Sequence, residues 1–203
     1  MAEVFDPATL AFYQSEAPVY VTARPDAPDA HLATFLDRLQ PGASILELGC
    51  GGGRDAADMI ARGFDVDLTD GVPAMAAQAQ AYLGRPVRVM RFDELEAVNA
   101  YDGVIANAAL LHVPQAGLPE ILRRVWRALK PGGLHFASYK TGGHEGYDEH
   151  GRYYNQPSPD DLERAYLAAG KWSSLDIERY LGTGYFSKPS AWLQIVVRRD
   201  MMG

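Results

Sequence analysis

Cysteine is nearly absent from this chain of 203 residues, in which Cys50 is the only one. A single cysteine excludes a disulfide-stapled scaffold and favours a reducing compartment. Long apolar runs are lacking too, since none approaches the roughly 18–20 residues that a membrane span needs. The first ten residues are neither basic nor continuously apolar, unlike a signal peptide. We therefore expect a cytoplasmic protein without a membrane partner.

Positive charge is in short supply, because 19 basic residues face 26 acidic ones and the net charge is −7. An acidic surface repels phosphates, so a nucleic-acid partner would need a local basic patch. The basic residues within 118–130 share their segment with apolar residues at helical spacing. We interpret them as a solvated helix face, and we expect no DNA partner.

Strand and helix signals alternate along a chain whose length suits a single domain over 1–203. Short apolar segments predict seven strands, at 44–48, 64–69, 87–90, 103–106, 134–139, 175–180 and 192–198. Amphipathic segments predict helices around 32–39 and at 54–62, 73–83, 115–129 and 158–170. This alternation predicts an α/β fold, a doubly wound and mostly parallel seven-stranded sheet with helices on both faces. Ligands of such sheets bind at the carboxyl ends of the strands.

The strongest local signal is ILELGCGGGRD at 45–55, where a buried strand runs through glycines into a helix. Glycine permits a tight turn and close approach of a ligand, and the amides of the helix start attract negative partial charge. This arrangement indicates a nucleoside-containing ligand, although a plain structural turn is the alternative. A dinucleotide fingerprint carries a third small residue where this chain has Arg54, so the spacing disfavours NAD.

Two further positions suit a nucleoside. Asp70 ends the next strand, 70 − 51 = 19 residues after Gly51, where an acid can accept the two ribose hydroxyls. Asp67 is an alternative, but it lies within the strand. Phe92 and Asp93 follow the third strand and offer adenine an apolar wall and a polar partner. Alternatively, Phe92 belongs to the core and Asp93 caps a short helix.

These motifs together resemble a known family. ILELGCGGGRDA at 45–56, Asp70, NAALLHVP at 107–114 and LKPGG at 129–133 occur in the order found in class I S-adenosylmethionine-dependent methyltransferases. The chain looks like small bacterial members of the tellurite-resistance and thiopurine methyltransferase type. FYxxxAxxYxxxR at 12–24 and GRYYN at 151–155 extend the resemblance over nearly the whole chain. These motifs are specific for cofactor and fold and leave the methyl acceptor open.

The resemblance implies S-adenosylmethionine as cofactor and assigns residues to it. In this assignment Glu47 supports the glycine loop, the Asn107 carbonyl holds the methionine ammonium, and Arg24 meets the cofactor carboxylate. A surface arginine is the alternative for Arg24. The full set of implied cofactor-binding residues is Tyr13, Tyr20, Arg24, Glu47, Gly49, Cys50, Gly51, Gly53, Asp70, Gly71, Met75, Phe92, Asp93 and Asn107.

A sulfonium methyl group is already electrophilic, so positioning and exclusion of water carry much of the chemistry and a base is optional. His112 and Tyr139 are candidate catalytic groups, with a structural histidine as the alternative for His112. The segments 1–28 and 142–155 are candidate flexible covers, since the second is rich in glycine, aromatic and polar residues. No metal site is expected, because the histidines lack ligand spacing.

We expect methyl transfer to a small-molecule acceptor by in-line displacement. A non-catalytic regulator that binds S-adenosylmethionine, and a methyltransferase acting on protein or RNA, are the alternatives. A nicotinamide-dependent oxidoreductase is disfavoured by Arg54. The sequence NAAL at 107–110, in place of the NPPY type that resembles amino-methylating nucleic-acid enzymes, also argues against DNA.

Overall fold

The computed structural model describes residues 4–22, 29–142, 144–184 and 189–201. The helices are α1 Pro7–Tyr20, α2 Ala30–Leu36, α3 Arg54–Ala61, α4 Pro73–Leu83, α5 Leu118–Ala128 and α6 Pro159–Ala169. The strands are β1 Ser44–Leu48, β2 Asp65–Asp70, β3 Arg88–Val89, β4 Tyr101–Ala106, β5 Leu129–Lys140, β6 Gly146–Tyr147, β7 Tyr153–Tyr154, β8 Trp172–Thr183 and β9 Pro189–Arg199. Short 3-10 turns cover Phe92–Glu94 and Leu110–His112.

One sheet of seven strands organises the chain, in the order β3-β2-β1-β4-β5-β9-β8. Neighbouring strands are parallel from β3 to β5, and β9 runs antiparallel to both β5 and β8. The predicted doubly wound, mostly parallel seven-stranded fold is therefore confirmed. Strands β6 and β7 form a separate antiparallel hairpin. The carboxyl ends of β1, β2 and β4 meet at one edge of the sheet.

Each face of the sheet is covered by helices because its strands are apolar on both sides. On one face Phe35 of α2 and Met59 of α3 pack in a cluster with Phe136 of β5. On the other face Ile121 of α5 and Tyr166 of α6 belong to the larger cluster. Two buried layers thus fix the sheet and hold its carboxyl edge in place. Within the described ranges, none of the helices is both long and apolar enough to cross a membrane.

Two elements differ from the sequence prediction. Residues 7–20, treated as part of a flexible cover, form helix α1, which begins at Pro7 and is capped by the Asp6 carboxylate accepting from the Thr9 amide at 2.7 Å. The second is the helix predicted over 115–129. The helix instead ends at Ala128 and Leu129 already pairs with Tyr101, with a register shift before the regular ladder from Leu134.

Candidate functional site

A pocket lies at the carboxyl ends of β1, β2 and β4, beneath α1. It encloses about 740 Å³ of empty space including its open mouth. Its walls come from the N-terminal residues and α1, the glycine loop, the tip of β2 and the turns that follow β3 and β4. The lining residues are Val4, Phe5, Asp6, Thr9, Leu10, Tyr13, Tyr20, Gly49, Gly51, Asp70, Gly71, Val72, Met75, Arg91, Phe92, Ala108, Ala109, His112 and Val113.

The glycine loop has a backbone that side chains would disturb. Gly49 has a φ of +71°, and a Cβ there would lie 2.8 Å from the Cβ of Ala109. Gly53 has a φ of +82°, and its Cβ would lie 2.8 Å from Cδ1 of Leu83. Both positions combine left-handed backbone with a lack of space, which explains the glycines physically. Gly49 faces the pocket, whereas Gly53 packs against α4.

Asp70 joins the tip of β2 to the glycine loop. Its side chain is buried, and its Oδ2 accepts from the Gly51 amide at 2.9 Å while its Oδ1 accepts from the Val72 amide at 2.8 Å. Burial raises the pKa of Asp70 to about 6, and the two amide hydrogen bonds oppose that rise. Each carboxylate oxygen keeps a lone pair, so the group can accept further hydrogen bonds from a ligand in the pocket.

The alternative acid has other partners. Asp67 Oδ2 accepts from the Arg88 guanidinium at 2.7 Å and from the Tyr101 hydroxyl at 2.6 Å, and Asp67 is not on the pocket wall.

Phe92 lines the wall, next to the glycine loop. Asp93 instead accepts from Arg91 Nε at 3.0 Å and is not a lining residue, so its predicted contact with adenine remains a prediction.

Glu47 lies behind the glycine loop with a buried side chain. Burial, reinforced by the charges of Asp55 and Asp70, raises its pKa. Its Oε2 has no hydrogen-bond partner in the described part of the chain. Buried polar atoms are nearly always paired, so this oxygen is suited to a positively charged ligand group. Cys50 is buried beside it in the loop, and burial raises the pKa of its thiol, which makes it a poor nucleophile.

Asn107 follows β4 and is fixed by its side chain. Its Nδ2 donates to Asp55 at 2.9 Å and to Asp29 at 3.3 Å, and its Oδ1 accepts from the Ser138 hydroxyl at 2.6 Å. The same hydroxyl accepts from the Ala108 amide at 2.8 Å. The segment that leads into the pocket wall is therefore held rigidly, and the contact of the Asn107 carbonyl with the cofactor remains a prediction.

His112 presents a neutral imidazole to the pocket. Its Nδ1 lies 2.6 Å from the Tyr153 carbonyl oxygen, and its Nε2 lies 3.1 Å from the Tyr13 hydroxyl. A carbonyl can only accept, so Nδ1 carries the hydrogen and Nε2 accepts from Tyr13. Burial lowers the pKa of His112 to about 4, so the ring is uncharged near neutral pH. The unprotonated Nε2 is therefore the basic nitrogen of this ring.

The two segments expected to cover the site are bonded to each other. Tyr147 of β6 donates to Asp6 Oδ2 at 2.8 Å, and the Tyr153 amide of β7 donates to the Thr9 hydroxyl at 2.8 Å. Helix α1, which lines the pocket, and the β6–β7 hairpin are therefore tied to each other. Sequence reasoning missed Asp6 and Thr9 as lining residues, although Asp6-Pro7 is a helix-start signature that would have located α1.

Tyr139 is not on the pocket wall, contrary to its expected catalytic role. It is fully buried on the face of the sheet covered by α6, and its hydroxyl lies 3.2 Å from that of Tyr166. The neighbouring Ser138 faces Asn107 instead, because successive strand residues point to opposite faces. This placement gives Tyr139 a structural role. Arg24 lies outside the described residues, and its role stays a prediction.

The structure brings nine predicted site residues to one pocket: Tyr13, Tyr20, Gly49, Gly51, Asp70, Gly71, Met75, Phe92 and His112. Glu47, Cys50 and Gly53 lie behind the loop, and Asp93 and Asn107 flank the wall. In the portion of the chain that the structure describes, no group of three or more histidine, cysteine or acidic residues could hold a metal ion.

Known proteins share both sequence and fold with this chain. Residues 45–133 match the family model described as a methyltransferase domain. A trans-aconitate 2-methyltransferase of Deinococcus radiodurans is 33% identical over 97 residues, which are 47% of this chain and 37% of that protein. A ubiquinone biosynthesis O-methyltransferase of Caulobacter vibrioides is 32% identical over 142 residues, 66% of this chain and 52% of that protein. The chain thus spans about half or less of the length of these relatives.

A solved structure matches almost from end to end. The 1,6-didemethyltoxoflavin-N1-methyltransferase of Burkholderia thailandensis, solved with its namesake compound and S-adenosylhomocysteine, has a TM-score of 0.70 and 22% identity. The match covers 98% of this chain and 94% of that one, which shows the shared fold. The chain thus shares the fold of a solved methyltransferase, residues 45–133 match the methyltransferase-domain model, and the S-adenosylhomocysteine bound in that structure supports S-adenosylmethionine as the cofactor.

Proposed function

We propose that this chain transfers a methyl group from S-adenosylmethionine to a small-molecule acceptor by in-line displacement. The observation that supports this is a single pocket with the glycine loop and Asp70 on one wall and the neutral His112 on another. The names of the two curated relatives specify trans-aconitate and ubiquinone biosynthesis, which are both small-molecule chemistry. The resemblance of the motifs to methyltransferases of the tellurite-resistance and thiopurine type would narrow the same proposal to that group of enzymes.

The residues present fit the cofactor. The Asp70 carboxylate would accept from the ribose hydroxyls, and Phe92 with Met75 would flank the adenosine. The unpaired Oε2 of Glu47 would favour the methionine ammonium behind the glycine loop. When bound, S-adenosylmethionine supplies an electrophilic methyl group on a sulfonium. The rings of Tyr13 and Tyr20, whose centroids lie 5.5 Å apart, would shield that cation.

His112 would accept the proton that an acceptor hydroxyl or amine loses as it is methylated. Tyr13 also lines the pocket and its hydroxyl bonds Nε2, so this hydroxyl would hand a proton to Nε2 and take one from the acceptor. The Tyr153 carbonyl holds the Nδ1 hydrogen and would stabilise the imidazolium that forms. The depressed pKa of His112 makes it a weak base, so we expect proton removal to accompany methyl transfer. General-base help of this kind contributes about 10²–10⁴-fold.

We predict binding of S-adenosylmethionine and S-adenosylhomocysteine and no binding of NAD. The loop at 49–53 lacks the third small residue of a dinucleotide site and has Arg54 instead. Isothermal titration calorimetry with the three ligands measures this directly. Tight NAD binding together with no heat from either sulfur ligand would contradict the prediction.

The acceptor would be found by following S-adenosylhomocysteine release over a panel of tellurite, thiols, phenols and carboxylic acids. Turnover with one class supports the enzyme proposal and identifies the reacting atom. Tight cofactor binding with no turnover on any small molecule would favour the regulator or the protein and RNA alternatives. Addition of purified RNA and of a protein extract to the same assay separates those two from a regulator.

We also propose that the bonded cover, α1 with the segment 142–155, becomes more protected when cofactor binds. The contacts between Asp6 and Tyr147 and between Thr9 and Tyr153 tie the two parts together, so both should respond. Hydrogen exchange with and without S-adenosylhomocysteine tests this, with the amides of β9 as internal control. Equal exchange rates in both states would mean that the cover is permanent scaffold.

A further inference from the structure

We infer that the methyl acceptor carries an anionic group, most simply a carboxylate, which the Lys140 ammonium and the Trp192 indole N–H bind. This inference rests on the proposed function and deepens it by naming a substrate class. It comes from a row of side chains beside the pocket that the cofactor assignment leaves unused. Four observations carry it: the place of the row, the charge of Lys140, the unpaired donor of Trp192 and the distance to His112.

The row crosses three strands at the carboxyl end of β5. Lys140, the last residue of β5, lies opposite Trp192 of β9, which in turn lies opposite Tyr180 of β8. Directly opposed residues of antiparallel strands share a face of the sheet. Ser138, two residues before Lys140, is on that face too and bonds Asn107, whose segment continues into the pocket wall. The row is therefore a neighbour of the methyl-transfer site.

Lys140 is a half-buried cation beside two aromatic rings. Its Nζ lies 4.3 Å from the ring centroid of Tyr154 and 5.9 Å from that of Trp192. Across 4–22, 29–142, 144–184 and 189–201, no carboxylate forms an ion pair with it. Asp148 is nearby, but it is held by two nitrogens of Arg152, at 3.0 and 2.7 Å, and Arg152 itself repels Lys140.

Burying the Lys140 cation in this place costs free energy unless an anion binds beside it. Burial and the charge of Arg152 lower the pKa of Lys140, which reports the same unfavourable environment. Aromatic faces recover only part of the desolvation cost of a cation. An anionic ligand would recover more, because a charge-assisted hydrogen bond is among the stronger ones.

Trp192 supplies a second donor at the same place. Its side chain is buried and its Nε1 has no hydrogen-bond partner among the residues described. A Cβ added to Gly182 would lie 3.3 Å from that nitrogen, and one added to Gly184 would lie 3.3 Å from Lys140 Nζ and 3.9 Å from Trp192 Cζ2. Both donors therefore lie beside the end of β8. The glycines there carry no side chain that could fill the space next to the donors.

The chemistry of the ligand follows from these donors. One cationic and one neutral N–H donor match an anion with two acceptor oxygens, and the rings of Tyr154, Trp192 and Tyr180 suit an apolar body. The Tyr154 ring also lies 4.7 Å from the His112 ring, centroid to centroid. One aromatic ring therefore separates the anion site from the proposed base. A carboxylate anchored at Lys140 would hold the rest of a small acceptor beside His112.

The test uses 4-hydroxybenzoate and 4-hydroxybenzamide, and succinate and succinamide, titrated into the full chain saturated with S-adenosylhomocysteine. For at least one pair we expect the acid to bind the wild type tenfold or more tightly than its amide. Lys140→Met should remove that preference and Lys140→Arg should retain it. Trp192→Phe, which removes the indole N–H together with part of the ring, should weaken binding of the acid several-fold. Lys171→Met, the same chemical change on an exposed lysine at the opposite edge of the sheet, should change nothing.

Acids that bind no better than their amides, or a preference that survives in Lys140→Met, would overturn the inference. Thermal melts of each variant with S-adenosylhomocysteine establish that the cofactor site is intact before acids are compared. Absence of S-adenosylhomocysteine binding to the wild type would instead count against the proposed function. The two failures are therefore distinguishable.

Discussion

Asp70→Ala should weaken the binding of S-adenosylhomocysteine by about 100-fold or more, while the variant still folds. Hydrogen bonds to a charged group are worth about 1.5–3 kcal/mol each, and the carboxylate would accept two from the ribose. The substitution also frees the amides of Gly51 and Val72, which Asp70 holds at 2.9 and 2.8 Å, so the glycine loop loses its tie to β2. Calorimetry gives the affinity, and circular dichroism gives the fold.

Asp67→Ala is the matched control, since Asp67 lies on the same strand but bonds Arg88 and Tyr101 away from the pocket. It should leave the affinity for S-adenosylhomocysteine nearly unchanged. If Asp70→Ala binds normally, or if it cannot fold, Asp70 is a structural cap and the ribose assignment is wrong.

The affinity should also depend on pH through Asp70. Its folded pKa of about 6 is above the ordinary value of 3.8, so in the free protein the carboxyl becomes protonated as pH falls through 6. Ribose hydroxyls donate best to the ionised form, so binding is complete above pH 6 and weakens below it. Between pH 7.5 and 5 we expect a loss of up to about tenfold. Asp70→Asn should be weaker throughout and flatter, and an unchanged pH dependence in that variant would assign the titration to another group.

His112→Gln should lower kcat for methyl transfer by about 10²–10⁴-fold, the usual contribution of a general base, with little change in S-adenosylhomocysteine affinity. The lost atom is Nε2, which accepts from Tyr13 at 3.1 Å and faces the pocket. Tyr13→Phe should reduce kcat less, because water can replace a hydroxyl in proton transfer. Steady-state kinetics with the acceptor identified in the screen measure both variants.

His135→Gln is the matched control for this experiment. His135 is also fully buried with a pKa lowered to about 4, and it bonds the Val104 carbonyl at 2.8 Å and the Tyr166 hydroxyl at 2.9 Å, away from the pocket. Its loss should reduce the free energy of unfolding and leave kcat of the folded fraction unchanged.

Because burial lowers the pKa of His112 to about 4, kcat should be flat from about pH 6 to 8 and fall only in more acidic solution. A His112→Gln enzyme with normal kcat would show that positioning alone carries the reaction.

The fold could be predicted from local sequence patterns, because each such pattern spans only a few residues. Helix α4 spans the predicted range 73–83, and strand β1 spans the predicted range 44–48. Proline at a first helical position, glycine after a last one and an apolar run between turn residues are all read within a few residues. Strands β8 and β9 extend well beyond their predicted bounds, since their outer residues are polar and are held by the ladder between them.

The sequence by itself determined the class of sheet, the glycine loop and the acid that follows it, because spacing along one βαβ unit fixes where those residues meet. Only the tertiary structure decided the rest. The Tyr153 carbonyl that sets the tautomer of His112 is 41 residues away, and the Tyr13 hydroxyl on its other nitrogen is 99 residues away. Strand alternation turned Tyr139 into the core, and antiparallel pairing aligned Lys140 with Trp192. Such contacts arise from packing and register between distant segments, which no local period encodes.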